Sequence, residues 1–534
     1  MTQNILPHLT RRALLCLGSS ALAVGVVTLG LPGRATAQAE SVPAQAPFTF
    51  ETLVERARAA AATEYAAPQA LGPPFTDLDY DDYRNIQFRD NRARWAGVDA
   101  AAILQAYHPG WLFDSTVSLS EIVDGQARPL TFTAEDFNYF GDTATDIATD
   151  IAAGTQLPGV AGFRLNVPLN APDRFDEAVS FLGASYFRAL GAGNHYGLSA
   201  RGLAVNTATS EAEEFPRFSA FWLERPVVGA TMLTFYALLD SESVTGAYRF
   251  VLRPGETTTM DVTTELFFRR DVEQLGIAPL TSMYLFGSND RVAFDDYRER
   301  VHDSEALIVN SGAVPLFRPL NNPPRLANSY FSAQSPKSFG LVQRHRDFED
   351  FLDAGAQYER RPSLMVEPLG DWGNGAIRLI EIPSDLEAND NIVAFWVPEG
   401  DFVAGSALSI GYRLHWGSNP PGAVSQLAQV SRTLTGHGGV AGIAPRTDLR
   451  KFVIDFVGDT LMEPNPEFPV EARINVSGGE VVGEVLQRVD GEDRMWRLII
   501  DVRGEGDAGV EMSASLIAGE TQLTEAWIYQ WLRE

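Results

Sequence analysis

Along most of the chain apolar residues alternate with polar or smaller ones and do not recur at helical spacing. In 247–252, Tyr248, Phe250 and Leu252 take every second place, which is the period of a strand with one buried face. One early exception is 50–62. There Phe50, Leu53, Val54 and Ala57 fall on one side of a helix. Beyond it the chain breaks into short apolar segments between Gly, Pro, Asn and Asp clusters. They are LTFTAEDFNYF (130–140), GFRLNVPLN (162–170), ATMLTFYALL (230–239), GAYRFVLRPGETTTMDVTTELFFRR (246–270) and NIVAFWVP (391–398). Many short strands joined by irregular loops predict a large antiparallel β-sandwich.

A break follows Tyr412-Arg413-Leu414-His415-Trp416, at Ser418-Asn419-Pro420-Pro421-Gly422. A Gly-rich loop is expected through Thr435-Gly436-His437-Gly438-Gly439. The strand pattern restarts at Lys451, with 452–456, 473–476, an alternating Trp496, Leu498, Ile500, Val502 and an alternating Val510, Met512, Ala514, Leu516. Strands about every 12 residues match a small immunoglobulin-like sandwich. The expected organisation is therefore all-β: a large antiparallel β-sandwich over 47–417, a linker over 418–429 and an immunoglobulin-like domain over 430–534.

The first residues stand apart from this pattern. Thr10-Arg11-Arg12-Ala13-Leu14-Leu15 precedes an apolar stretch, and Ala35-Thr36-Ala37 offers a small-x-small cleavage site. Residues 1–37 read as a twin-arginine signal peptide, which directs the protein to the periplasm. Residues 38–47 read as a disordered lead. No later run approaches about 20 apolar residues, so no membrane span is expected in the mature chain.

Charge narrows the class of partner. The 534 residues carry 42 Lys and Arg against 69 Asp and Glu, a net −27. Removing 1–37 takes away Arg11, Arg12 and Arg34 and no acid, leaving 39 against 69, or −30. Such a surface repels phosphate backbones, so no nucleic-acid partner is expected. It suits a neutral ligand such as a sugar. The single cysteine, Cys16, belongs to the leader, so the mature chain is expected to rely on packing and not on disulfides.

The chain has no HExxH, CxxC, Walker A or GxSxG sequence, and its histidines are scattered. No metal and no cofactor is expected. What remains is carboxylates beside aromatic residues. Sugar rings offer C–H faces to Trp and Tyr, and glycosidic cleavage needs one carboxylic acid and one carboxylate. Three acidic clusters qualify: 295–305 around Asp303, 384–391 at the mouth of the apolar strand 392–396, and Glu367 to Gly373 around Asp371 and Trp372. Acids at the mouth of a buried strand are expected to be partly desolvated, which raises a carboxyl pKa. Donors near Arg344 and in Tyr358-Glu359-Arg360-Arg361 add hydrogen-bonding capacity, either to a ligand or to a structural ion-pair network.

Whole strings are more specific than composition. DYDDYRNIQFR (79–89), FLGASYFRALGAGNHYGLSARGLAVNT (181–207), EEFPRFSAFW (213–222), LDSESVTGAYRF (239–250), LGIAPLTSMYLFG (275–287), YRERVHDSEAL (297–307), YERRPSLMVEPLGDWGNGAIRLIEIP (358–383), NDNIVAFWVP (389–398) and LTEAWIYQW (523–531) together resemble the periplasmic glucan biosynthesis proteins, the OpgG/OpgD (MdoG/MdoD) family. The twin-arginine leader looks more like the OpgD branch. The resemblance implies a cleft-bearing sandwich followed by an immunoglobulin-like domain, and action on glucans with a β-1,2-linked glucose backbone. OpgD-like members are expected to be anomer-inverting endo-β-1,2-glucanases. Some relatives instead act as inverting transglycosylases that cyclise the chain through an α-1,6 link. A non-catalytic glucan-binding scaffold is a further alternative.

Carried over residue by residue, the general acid falls on Asp390. The general base falls on Asp303, acting through a relay of water and a substrate hydroxyl. Glu387 and Tyr358 match substrate-holding positions, with Arg344 and Trp372 as further subsite contacts. The Gly-rich stretch 434–450 is expected to reach over the cleft. A membrane glucosyltransferase and a second copy of the chain are candidate partners. Three positions depart from the family pattern: Glu305 and Ala306, where Asp-Gly is common, and Ser288, where an acid is common.

Overall fold

Strand Leu233–Asp240 shows how the alternation becomes a fold. Phe235, Ala237 and Leu239 point into one core, while Tyr236 and Leu238 point into another on the opposite face. The computed structural model describes residues 47–533, except 98, 142–150, 152–153, 441, 443, 463–467 and 507–508, and Phe48–Glu534 form one compact unit. The leader and nearly all of the expected disordered lead lie outside the described residues.

Two large, mainly antiparallel sheets supply the main core. One runs Ile103–Tyr107, Gly162–Ala171, Arg174–Leu182, Tyr186–Ala189, Ser199–Arg201, Leu275–Ser282, Ile392–Pro398, Asn374–Glu381, Ala327–Gln334, with Ala204–Val205 added beside Leu275–Ser282. The other includes Arg217–Glu224, Leu233–Asp240, Val244–Arg253, Thr258–Phe268, Ala407–Gly417 and Ser363–Pro368. Their inner faces interdigitate through aromatic rings. Phe163 meets Phe221 at 4.9 Å between ring centres, and Phe181 meets Phe250 at 5.4 Å. This is the packing of a β-sandwich. Each such ring taken out of water contributes about 1.5–3 kcal/mol.

Helix Phe50–Ala61 covers the outer face of the second sheet. Leu53 and Ala57 pack on Trp222, Tyr236, Leu238 and Phe267. Thr49 caps its start, exchanging hydrogen bonds with Thr52. Arg269 donates to the Ala60 carbonyl at its end, where a cation suits the helix dipole.

The C-terminal strands extend the second sheet. Ala526–Trp531 lies between Val510–Ala518, antiparallel to it, and Leu316–Pro319, parallel to it, with Leu316 opposite Ala526 and Phe317 opposite Trp527. A separate four-stranded sheet runs Gln429–Gly438, Arg446–Val457, Met495–Gly504, Gly479–Arg488. The alternating residues converge: Leu498, Ile500 and Val502 join Val510, Met512, Ala514 and Leu516 in a second core around Trp527, which Ala306, Ile308, Phe317 and Val342 complete.

Two expectations change. Segment 130–140 does not form one strand. Thr133 and Asp136 cap a short 3-10 turn, Ala134–Asp136, before strand Phe137–Tyr139. The Gly-rich stretch is also not a loop through 438. Residues 429–438 are a strand paired with Arg446–Val457, the pairing running from Gln429 opposite Val457 to Gly438 opposite Arg446. Glycine permits this pairing, since a Cβ on Gly438 would lie 2.4 Å from that of Leu449.

Candidate functional site

The site is assembled on a small ribbon. Tyr284–Phe286 pairs with Val301–His302, placing Tyr284 opposite His302. Asp303 follows at once, its backbone N–H donating to the Met283 carbonyl at 2.8 Å. Ser282 and Ser304 share a buried hydroxyl hydrogen bond at 2.9 Å. The carboxylate of Asp303 is thereby held in the interior, with the residue only 5% exposed.

Asn391 ties the second acidic loop to the same ribbon. Its side chain accepts from Tyr284 N–H at 2.8 Å and donates to Tyr284 O at 2.9 Å and to Ile382 O at 3.0 Å. This mimics a strand pair and fixes the mouth of strand Ile392–Pro398. Asp390, one residue earlier, is exposed and close enough to Asp303 for its charge to be felt there.

A 3-10 turn, Tyr358–Arg360, supplies the third side. Arg361 follows it and donates to the Asp303 carboxylate. Its guanidinium lies 4.1 Å from the centre of the Tyr358 ring. The buried Tyr358 donates its hydroxyl to Glu387. Glu387 also accepts from Arg298 at 3.0 and 3.2 Å, and Arg298 in turn donates to Asp353 at 2.8 Å. A continuous polar chain thus runs from Asp303 through Arg361, Tyr358 and Glu387 to Arg298.

Electrostatics separates the two aspartates. Burial pushes Asp303 up to about 6; Arg361 pulls against this and the Asp390 charge adds to it. The desolvation expected at the mouth of strand Ile392–Pro398 is therefore found at Asp303, while Asp390 faces water. Burial also raises the Tyr358 phenol, and its hydrogen bond to Glu387 adds to the rise.

Four of the six residues singled out in the sequence come together: Asp303, Asp390, Glu387 and Tyr358. The other two do not. Arg344 donates to Glu525 at 2.9 Å, to Val430 O at 3.0 Å and to Ala423 O at 3.4 Å, and lies over Phe317. These are ties to the C-terminal strands. Trp372 is 7% exposed and packs against Trp396, Phe339 and Tyr412 in the main core, with its indole N–H on Gly411 O. Sequence reading missed the parts played by Arg361, Arg298 and Asn391. Arg361 sat among donors that could serve a ligand or an ion pair, and Asn391 had no signal beyond its place after Asp390.

Ser288 and Glu305 line one small cavity, of about 30 Å³, with Arg300, His302, His345 and Thr433. Glu305 is bonded to His345, and Ser288 donates to Thr433 O at 2.7 Å. His302 stacks flat on Tyr284 at 5.3 Å, and burial holds its imidazole neutral, down to about 3. Among the described residues no group of three or more His, Cys, Asp or Glu could hold a metal ion, and no helix is long and apolar enough to cross a membrane.

Fold and site define an all-β protein with two acids, one buried and one exposed, beside an aromatic and arginine-lined wall. The profile of a family described as "Periplasmic glucan biosynthesis protein, MdoG" matches residues 48–531. Glucans biosynthesis protein G of Cereibacter sphaeroides is 51% identical over 98% of both chains. Glucans biosynthesis protein G of Rhodopseudomonas palustris is 42% identical over 94% of this chain and 97% of its own. Glucans biosynthesis protein D 1 of Ralstonia nicotianae is 42% identical over 97% of both. The chain belongs to this periplasmic glucan biosynthesis family. Relatives carrying both the G and the D name match; the leaning toward the D branch rested on the leader alone.

Proposed function

We propose that this chain is a periplasmic, anomer-inverting endo-β-1,2-glucanase, exported by the twin-arginine route. The observation that carries the reading is the pairing of buried Asp303, raised to about 6, with exposed Asp390. Two carboxyl groups in unlike surroundings are what general acid and general base require. Catalysis belongs to 47–417, and 430–534 forms a C-terminal domain joined through 418–429. The second core around Phe452 and Trp527 also takes in Ala306, Ile308, Phe317 and Val342, so the two parts pack as one body.

In this mechanism a β-1,2-glucan lies across Asp390 and shields it from water, the condition under which a carboxyl holds its proton. Asp390 gives that proton to the glycosidic oxygen as the bond from C1 breaks. Water attacks C1 from the opposite face. Its proton passes through a substrate hydroxyl and a relay water to Asp303, which ends protonated. Attack from the far side inverts the anomer. Arg361 favours the ionised Asp303 that accepts the proton, against the pull of burial. Tyr358 and Glu387 hold the sugar beside Asp390, with Glu387 positioned by Arg298.

The test is incubation of the purified protein with linear β-1,2-glucan and measurement of product masses. Shorter linear oligomers are expected. Products one water lighter than linear chains and resistant to exo-acting enzymes would make the enzyme a cyclising transglycosylase. No change with any chain length, together with intact glucan processing by Asp390→Asn in cells, would leave a non-catalytic scaffold.

A further inference from the structure

Arg164, Ser180 and Arg188 form a cross-strand row on Gly162–Ala171, Arg174–Leu182 and Tyr186–Ala189. The neighbouring row, Phe163, Phe181 and Phe187, fills the sandwich, so the polar row faces outward by strand alternation. On this side Glu177 Oε2 accepts from the Tyr196 hydroxyl at 2.8 Å and lies 3.6 Å from Arg164. Tyr107 donates to the same oxygen at 3.4 Å. Its other oxygen, Oε1, is buried without a partner. The carboxylate thus fixes the Tyr196 hydroxyl while the residue stays 46% exposed. The Arg188 guanidinium lies 5.8 Å from the Tyr196 ring centre. It has no ion pair among the described residues, yet its charge reaches Asp303.

The loop carrying Tyr196 is locked to the site. His195 N–H donates to Arg360 O at 2.9 Å, and the Asn194 amide reaches the same oxygen at 3.3 Å. Gly197 abuts Arg361, where an added Cβ would stand 3.0 Å from Arg361 Cβ. Arg361 is the residue that holds Asp303. An aromatic face with its hydroxyl pinned and a half-buried guanidinium without a carboxylate therefore adjoin the reacting carboxyl. A pyranose needs those two elements, a flat apolar platform for its C–H face and a donor for its hydroxyls.

We propose that Tyr196 and Arg188 form a subsite for one glucose ring of the glucan, next to Asp303, with the ring stacked on Tyr196 and its hydroxyls bonded to Arg188. The proposal rests on the glucanase reading and adds a binding position to it. The experiment uses calorimetric titration of linear β-1,2-glucan oligomers into the full chain carrying Asp390→Asn, which on the proposed mechanism is expected to bind without turnover. Adding Tyr196→Ala or Arg188→Met is expected to weaken binding about tenfold, the scale of one lost stacking or charged contact. Tyr196→Trp, which keeps the platform, is expected to retain affinity within about threefold. Unchanged thermal unfolding confirms that these exposed or half-buried positions leave the fold intact. Full affinity in both double variants would overturn the subsite while the glucan reading stands. Absence of binding by Asp390→Asn at every oligomer length would overturn the glucan reading, and the subsite with it.

Discussion

Asp303 carries its charge against its surroundings, and that has a measurable sign. Its folded pKa, about 6, lies above the ordinary 3.8, so the folded state binds the proton more tightly. The stability this contributes is full below about 3.8 and is lost as pH rises through about 6. Glu305, lowered to about 2 by His345 despite its burial, works in the opposite sense, so the comparison must be with a variant. Asp303→Asn is expected to lose less stability than the parent between pH 4 and pH 7, read from unfolding midpoints. An equal decline in both would refute the burial argument. The residue scale also separates core from site. Trp372→Ala is expected to cost about 3–5 kcal/mol, as loss of a packed core ring does, while KM for glucan in the surviving folded fraction stays put. A raised KM would return Trp372 to the site. The acids were legible because carboxylates near aromatic residues are visible in a string. The burial that distinguishes Asp303 from Asp390 was not, since Asp303 directly follows the buried ribbon Tyr284–Phe286 and Val301–His302, while Asp390 lies in an exposed turn before its strand.

At the scale of elements, alternation located the strands well wherever one face met a core. Segments 246–270 and 391–398 became Val244–Arg253, Thr258–Phe268 and Ile392–Pro398. It failed where backbone pairing outweighed composition. Thr435-Gly436-His437-Gly438 has the residues of a loop, but Arg446–Val457 pairs with all four, with a register shift between His437 and Gly438. Gly438 is there for closeness of approach. Gly438→Ala forces a Cβ into Leu449 and is expected to cost about 1–3 kcal/mol, as overpacking does. Chemical denaturation measures it; a neutral change would mean the hairpin can yield at that point. Asn391 is the other lesson at this scale. Its side chain stands in for a strand backbone, and no periodicity reports such a bond.

At the scale of the molecule, the resemblance carried farther than the pattern did. Collinear strings matched the family over nearly the whole chain, whereas alternation could not say which distant strands meet. Arg344 illustrates the gap. It lies 181 residues from its partner Glu525, and only the fold reveals that the pair joins the end of Ser338–Val342 to the C-terminal strands. Glu525 is 1% exposed. Arg344→Ala leaves that carboxylate buried and unpaired, and is expected to cost about 3–5 kcal/mol, whereas a subsite role would raise KM without shifting the melting temperature. The position of Ala526–Trp531 inside its sheet has a consequence for how the molecule keeps to itself. The strand is flanked on both sides. Without it, Leu316–Pro319 would present an open edge for other chains to pair with. Deleting these residues would therefore remove not a tail but an interior strand.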